Sequence, residues 1–114
     1  MTKVLMMWNN LQLEMEGHAN AGEIGKDIVC AAESILVQAL IRTLENAEKR
    51  GRTKLFLDSK EDAMGRLTGG SVKVRADPGM GNRAEIKSYF RFCVTGLKEI
   101  AKEYPKNVQV REVG

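Results

Sequence analysis

The chain has 114 residues, 43% of them hydrophobic and 29% charged, which is enough for one domain of ordinary size and too short for two. That balance excludes a disordered chain, and no run approaches the roughly 20 apolar residues needed to cross a bilayer, while Met1 to Trp8 is too short for a secretory leader; the expectation is a single cytoplasmic domain spanning 1–114. A formal net charge of +3 permits contact with nucleic acid without requiring it, and two cysteines in unlike settings favour free thiols over a disulfide framework.

In chain order, Lys3 to Trp8 and Leu11 to Gly17 read as two short strands hinged at Asn9 and Asn10, a pair that tolerates left-handed backbone. In the second strand Leu11, Leu13 and Met15 alternate with Gln12, Glu14 and Glu16, which gives one buried and one wet face. Gly17 to Lys26 carries Gly17, Gly22 and Gly25 without apolar periodicity and reads as a loop. From Asp27 to about Arg50 the spacing is helical, with Gly51 as a stop. Its main apolar stripe reads Ile28, Ala31, Ala32, Ile35, Leu36, Ala39, Leu40 and Leu44, widened by Val29, Val37 and Ile41. A helix apolar over so much of its circumference is covered on two sides, so a second copy of the chain is expected around Val37 and Ile41 or on apolar residues of the second helix.

Thr53 to Leu57 is a further strand, and Asp58 to Gly70, with Gly65, Gly69 and Gly70, reads as a mobile connection. Ser71 to Ala76 alternates Val72 and Val74 with Lys73 and Arg75, and Asp77, Pro78 and Gly79 break it. A second helix is expected over Asn82 to Lys102, followed by a closing strand over Asn107 to Val113. This order predicts an α+β two-layer sandwich: a mixed, mainly antiparallel sheet of about five strands covered by two long helices.

Chemistry concentrates between Gly17 and Ser34, which hold the only histidine, His18, and one of the two cysteines, Cys30. A thiol in the first turn of a helix sits at the positive end of the dipole, which favours thiolate. His18 precedes it by twelve positions, and a loop of that length can fold back to put an imidazole beside the sulfur. With an ordinary pKa of ~6.5, that imidazole can draw the thiol proton and return it to a leaving amine. Amides at the helix start, including that of Cys30, can hold the oxyanion, with Gly17, Gly22 and Gly25 shaping the loop around them. Asp27 either orients the imidazole or caps the helix, and Ser34 either bonds the sulfur or bonds its own backbone. Cys30 itself has a plainer reading, as packing beneath the loop. Cys93 falls among Phe90, Val94 and Leu97 and reads as core. One histidine and two separated cysteines give no metal-ligand spacing, so neither a metal nor another cofactor is expected.

The segments GHA at Gly17 to Ala19 and GKDIVCAAES at Gly25 to Ser34 resemble the signature of the ribosomal-processing cysteine proteases, the Prp family, and GLKEIAKEYPKNVQV ending at Val110 is similar to that family's closing segment. The resemblance implies a dyad of Cys30 and His18, supporting roles for Asp27 and Ser34, and a homodimer. It implies a peptide or protein substrate: the N-terminal extension of bacterial large-subunit ribosomal protein twenty-seven, cut after an aromatic residue, or, as in phage-associated relatives, a virion structural protein. Neither membrane nor direct nucleic acid is required. The chain departs from the family pattern at Glu33, where many members carry valine, and in Ala19 to Gly25, which lacks an aromatic residue often found there. A different class of function, a non-catalytic module docking on ribonucleoprotein through Lys54, Lys73 and Arg75, is the alternative.

Overall fold

The structure, a computed structural model, describes residues 1–17, 28–61 and 67–114. Strands β1 (Thr2–Met7) and β2 (Gln12–Glu16) lead to helix α1 (Ile28–Lys49), strands β3 (Thr53–Glu61) and β4 (Leu67–Pro78) to helix α2 (Arg83–Glu103), and β5 (Val108–Val113) closes the fold. The five strands form one sheet in the order β3-β4-β2-β1-β5, antiparallel except where β5 joins β1 in parallel. This is the expected α+β sandwich. The parallel pair follows from the connection, since a strand reached through a long helix can return in the same direction. Among the described residues no helix is long and apolar enough to cross a membrane.

Alternation along the strands decides which face is covered. Val110, Val4, Met15 and Val72 form one cross-sheet row, and Met6, Leu13 and Val74 the next. These rows meet Val37, Leu40, Ile41 and Leu44 of α1 and Ile86, Phe90, Val94 and Leu97 of α2 in a single core. The opposite face stays open and polar, with Lys73 paired to Glu14 at 3.6 Å and Arg75 stacked 4.0 Å from the Phe56 ring centroid. Two of the cations considered for ribonucleoprotein docking are thus engaged on the sheet surface itself. The helices touch at Gly96, where an added Cβ would lie 2.8 Å from the Leu36 methyl groups. A larger residue at 96 would require the Leu36 side chain to move aside.

Three expectations need correction. The stripe on α1 is rotated: Val29, Glu33, Val37, Leu40, Ile41, Leu44 and Ala47 are buried, whereas Ile28 is 69% and Ile35 64% exposed. Val37 and Ile41, the residues assigned to a dimer contact, are wholly inside the monomer core. Because apolar residues cover most of the circumference, periodicity alone had no single maximum to point at. The turn after β1 places its left-handed residue at Leu11 (φ 47°), not at either asparagine. The cost of that backbone is about 1–2 kcal/mol. It is offset by burying the whole leucine side chain, worth roughly 1.5–3 kcal/mol, and by the Leu11 carbonyl accepting the Ala76 N–H at 3.0 Å. Finally, β3 and β4 run further than expected, because Asp58 faces Lys73 and Ser59 faces Val72 in an edge hairpin with an irregularity between Ser59 and Glu61. Asp58 is tolerated there because it is exposed to water on the edge strand, whereas the Ser59 hydroxyl oxygen is buried.

Candidate active site

Helix α1 begins at Ile28, so Cys30 stands in its first turn. The thiol residue is half-buried and packs against a small cluster formed by Val29, Val108, Ile100, Ala101 and Val110, where the end of α2 meets the start of β5. Ser34 follows one turn later, also half-buried, and a spacing of four puts it on the same side of the helix as Cys30. His18, Gly22, Gly25 and Asp27 lie outside the described residues, and so does most of the glycine-spaced loop. Gly17, the residue from which that segment departs, is described.

Gly17 has φ +93°, and its N–H donates to the Gly70 carbonyl at 2.7 Å. An added Cβ there would lie 2.4 Å from the Met1 carbonyl oxygen and 3.6 Å from the Thr2 Cα, so glycine is required twice, by the backbone angle and by the floor beneath it. That floor is pinned in turn, for the Thr2 N–H donates to the Asn107 carbonyl at 2.8 Å, just before β5. The end of β2, the start of β1 and the start of β5 thus meet near the first turns of α1.

The two thiols sit in different settings. Cys93 is 2% exposed and its Sγ–H donates to the Leu36 carbonyl at 3.6 Å. Burial alone pushes its pKa up from 9.0 to about 12, so it is a small core residue carrying a proton, as expected from its stripe. Cys30 is only half-buried, at a helix start, where the dipole favours negative charge. The hollow of about 420 Å³ lined by Lys3, Leu5, Glu14, Lys73 and Arg111 lies on the open face of the sheet, across the layer from α1, and is not part of the thiol's surroundings.

Sequence reasoning noticed Glu33 only as a departure from a pattern. In the structure it is 3% exposed on the buried face of α1, and its Oε2 accepts the hydroxyl of Thr2, itself 1% exposed, at 3.0 Å. The signal was present: Val29, Glu33, Val37, Leu40 and Leu44 share one helical face, so the correct stripe contains a carboxylate.

The family model described as cysteine protease Prp matches residues 1–109. Among solved structures, the ribosomal processing protease Prp of Staphylococcus aureus with a covalently linked product peptide is similar at 27% identity and TM-score 0.71, with 99% of this chain and 100% of that chain covered. The same protease with a substrate peptide gives 26% identity and TM-score 0.65, with 99% and 100% covered. A protein of Streptococcus mutans at 24% identity and TM-score 0.67, with 98% of this chain and 91% of that chain covered, shares the fold. No curated protein matches the chain. With that family model spanning nearly all of a sheet and two helices that hold one half-buried and one buried thiol, the chain belongs to the Prp family and is a cysteine protease.

Proposed function

We propose that the chain is an endopeptidase working through a dyad of Cys30 and His18, and that its substrate is the N-terminal extension of a large-subunit ribosomal protein. The observation that carries this reading is the contrast between the thiols: only Cys30 combines exposure with a helix first turn. Support for the substrate comes from the Staphylococcus aureus protease, a ribosomal processing enzyme similar over its whole length and seen with peptides bound.

In the proposed reaction the Cys30 thiolate adds to the scissile carbonyl carbon, and the oxyanion is held by amides at the start of α1. His18, protonated by the thiol, gives its proton to the leaving amine as the C–N bond breaks, leaving a thioester on Cys30. Water then attacks the thioester, His18 takes its proton, and the sulfur leaves as the product acid forms. Asp27 orients the imidazole or caps the helix, and Ser34 lies on the Cys30 side of α1 within reach of the thiol's surroundings. The protein works in the cytoplasm as a homodimer. The surface suited to a second copy is the outer strip of the helix layer, Ile28, Ile35 and Phe92, which are 69%, 64% and 77% exposed.

Incubation with two peptides, one spanning the ribosomal extension junction and one from a phage virion protein, followed by mass spectrometry, tests the reading. Cleavage of the first by the protein and not by Cys30→Ala is expected. Cleavage of the virion peptide alone would reassign the substrate, and undiminished cleavage by Cys30→Ala would end the dyad.

A further inference from the structure

Buried carboxylates are rare in cores because removing one from water is costly unless strong partners replace the solvent. Glu33 is such a group, 3% exposed in a row otherwise made of Val29, Val37, Leu40 and Leu44, where an aliphatic side chain would pack with less cost. Local violations of the apolar pattern gather at functional sites. The neighbours of Glu33 point to which function it serves.

Three links run from it. Along α1, Glu33 lies three residues after Cys30, one turn on and on an adjacent part of the surface. Across the layer, Oε2 accepts the Thr2 hydroxyl at 3.0 Å, in a setting where both residues are buried. Beyond Thr2, the backbone of residues 1 and 2 is the floor on which Gly17 sits, close enough that a Cβ would collide with the Met1 carbonyl at 2.4 Å. Gly17 immediately precedes His18. Thr2 is also held to the end of the α2–β5 connection, through its N–H to the Asn107 carbonyl at 2.8 Å, so it cannot follow α1 passively if the helix shifts. One hydrogen bond therefore ties the turn that follows the thiol to the platform from which the histidine segment departs.

We propose that Glu33 and Thr2 form a positioning couple, which fixes the first turns of α1 against the Met1–Thr2 platform under Gly17 and so sets the relation between Cys30 and the His18-bearing segment. This rests on the dyad reading above. The couple touches no substrate and holds no proton in the reaction. Its effect is on geometry, where a displacement of about 1 Å can cost up to about a hundredfold in rate.

The experiment uses the full chain with Thr2→Val, Thr2→Ser, Glu33→Val, Glu33→Gln and the double variant Thr2→Val/Glu33→Val, each verified folded by circular dichroism at the assay temperature. Steady-state cleavage of a quenched fluorescent peptide spanning the ribosomal extension junction gives kcat and KM, and iodoacetamide at pH 7 gives the alkylation rate of Cys30. Thr2→Val and Glu33→Val are expected to lower kcat at least tenfold with KM within about threefold. Thr2→Ser and Glu33→Gln, which keep a donor and an acceptor, should recover most of that loss, and the double variant should be no worse than the poorer single one. Thr2→Val, which leaves the carboxylate in place, should also slow alkylation severalfold. A couple that serves only stability would lower Tm while kcat and alkylation stayed at the unsubstituted values, and that result, or additive losses in the double variant, overturns the proposal. If the unsubstituted protein does not cut the peptide, the substrate reading fails, and the alkylation rates still decide the role of the couple.

Discussion

The two thiols give a prediction with a calculable size. With its pKa pushed to about 12, Cys93 at pH 8 exists as thiolate at about one part in ten thousand, whereas an ordinary cysteine near 9.0 is about one tenth ionised. Before any steric protection from its 2% exposure, folded protein should therefore alkylate at Cys30 about three orders of magnitude faster than at Cys93. Intact mass after timed iodoacetamide treatment should show one adduct, mapped to Cys30 by digestion, and two adducts once the chain is unfolded in guanidinium. The same burial makes Cys93 a pH-dependent contributor to stability. Its folded pKa is raised above the unfolded value, so below about 9 the proton is on in both states and nothing changes with pH. Between about 9 and about 12 the unfolded thiol releases its proton while the folded one keeps it, and stability falls by about 1.4 kcal/mol per pH unit through that window. Urea unfolding of the protein and of Cys93→Ala at pH 8 and pH 10.5 isolates this group, because all other titrations cancel in the difference. The penalty of the substitution, about 1 kcal/mol at pH 8, should vanish or reverse at pH 10.5. A penalty independent of pH, or comparable labelling of both cysteines in the folded state, would refute the assignment of Cys93 to a dry core.

The rotation of the α1 stripe is tested by Ile41→Ala against Ile35→Ala at a concentration low enough for the chain to be monomeric: urea midpoints should show a loss of about 2–5 kcal/mol for the first and within about 0.5 kcal/mol for the second. Gly17→Ala meets both a left-handed angle and the Met1 carbonyl, so calorimetry should show a clearly lowered Tm, with peptide cleavage reduced in the fraction that remains folded. Sedimentation at micromolar concentration should give a dimer for the unsubstituted chain and a monomer for Ile35→Glu/Phe92→Glu, whereas a monomer in both cases would remove the proposed contact.

How much of this was legible beforehand depended on how sharply each signal peaked. Strand alternation at Leu13 and Met15 and at Val72 and Val74 has period two and no competing interpretation, so the sheet and its covered face followed directly. On α2 the residues that read as core around Cys93, namely Phe90, Val94 and Leu97, are all buried with it. On α1 the apolar residues surround the helix, and the true stripe contains Glu33, which a hydrophobicity argument steers away from. The same blindness applied to Leu11: a buried side chain can carry a residue into a backbone region that its identity disfavours, and only the tertiary contacts reveal it. Cys30 was placed correctly in a helix first turn because capping and periodicity agree there, while its link to Thr2 through Glu33 spans 31 positions and leaves no local trace.

The claim at the centre is that Cys30 is the nucleophile, and the thioester it forms can be weighed. The protein mixed with an excess of the ribosomal-extension peptide and quenched in acid within one turnover should gain the mass of the N-terminal fragment less one water, on a peptide containing Cys30, and neither Cys30→Ala nor the unreacted protein should carry it. Cleavage that proceeds at the normal rate in Cys30→Ala, or an adduct found on Cys93 instead, would contradict the account.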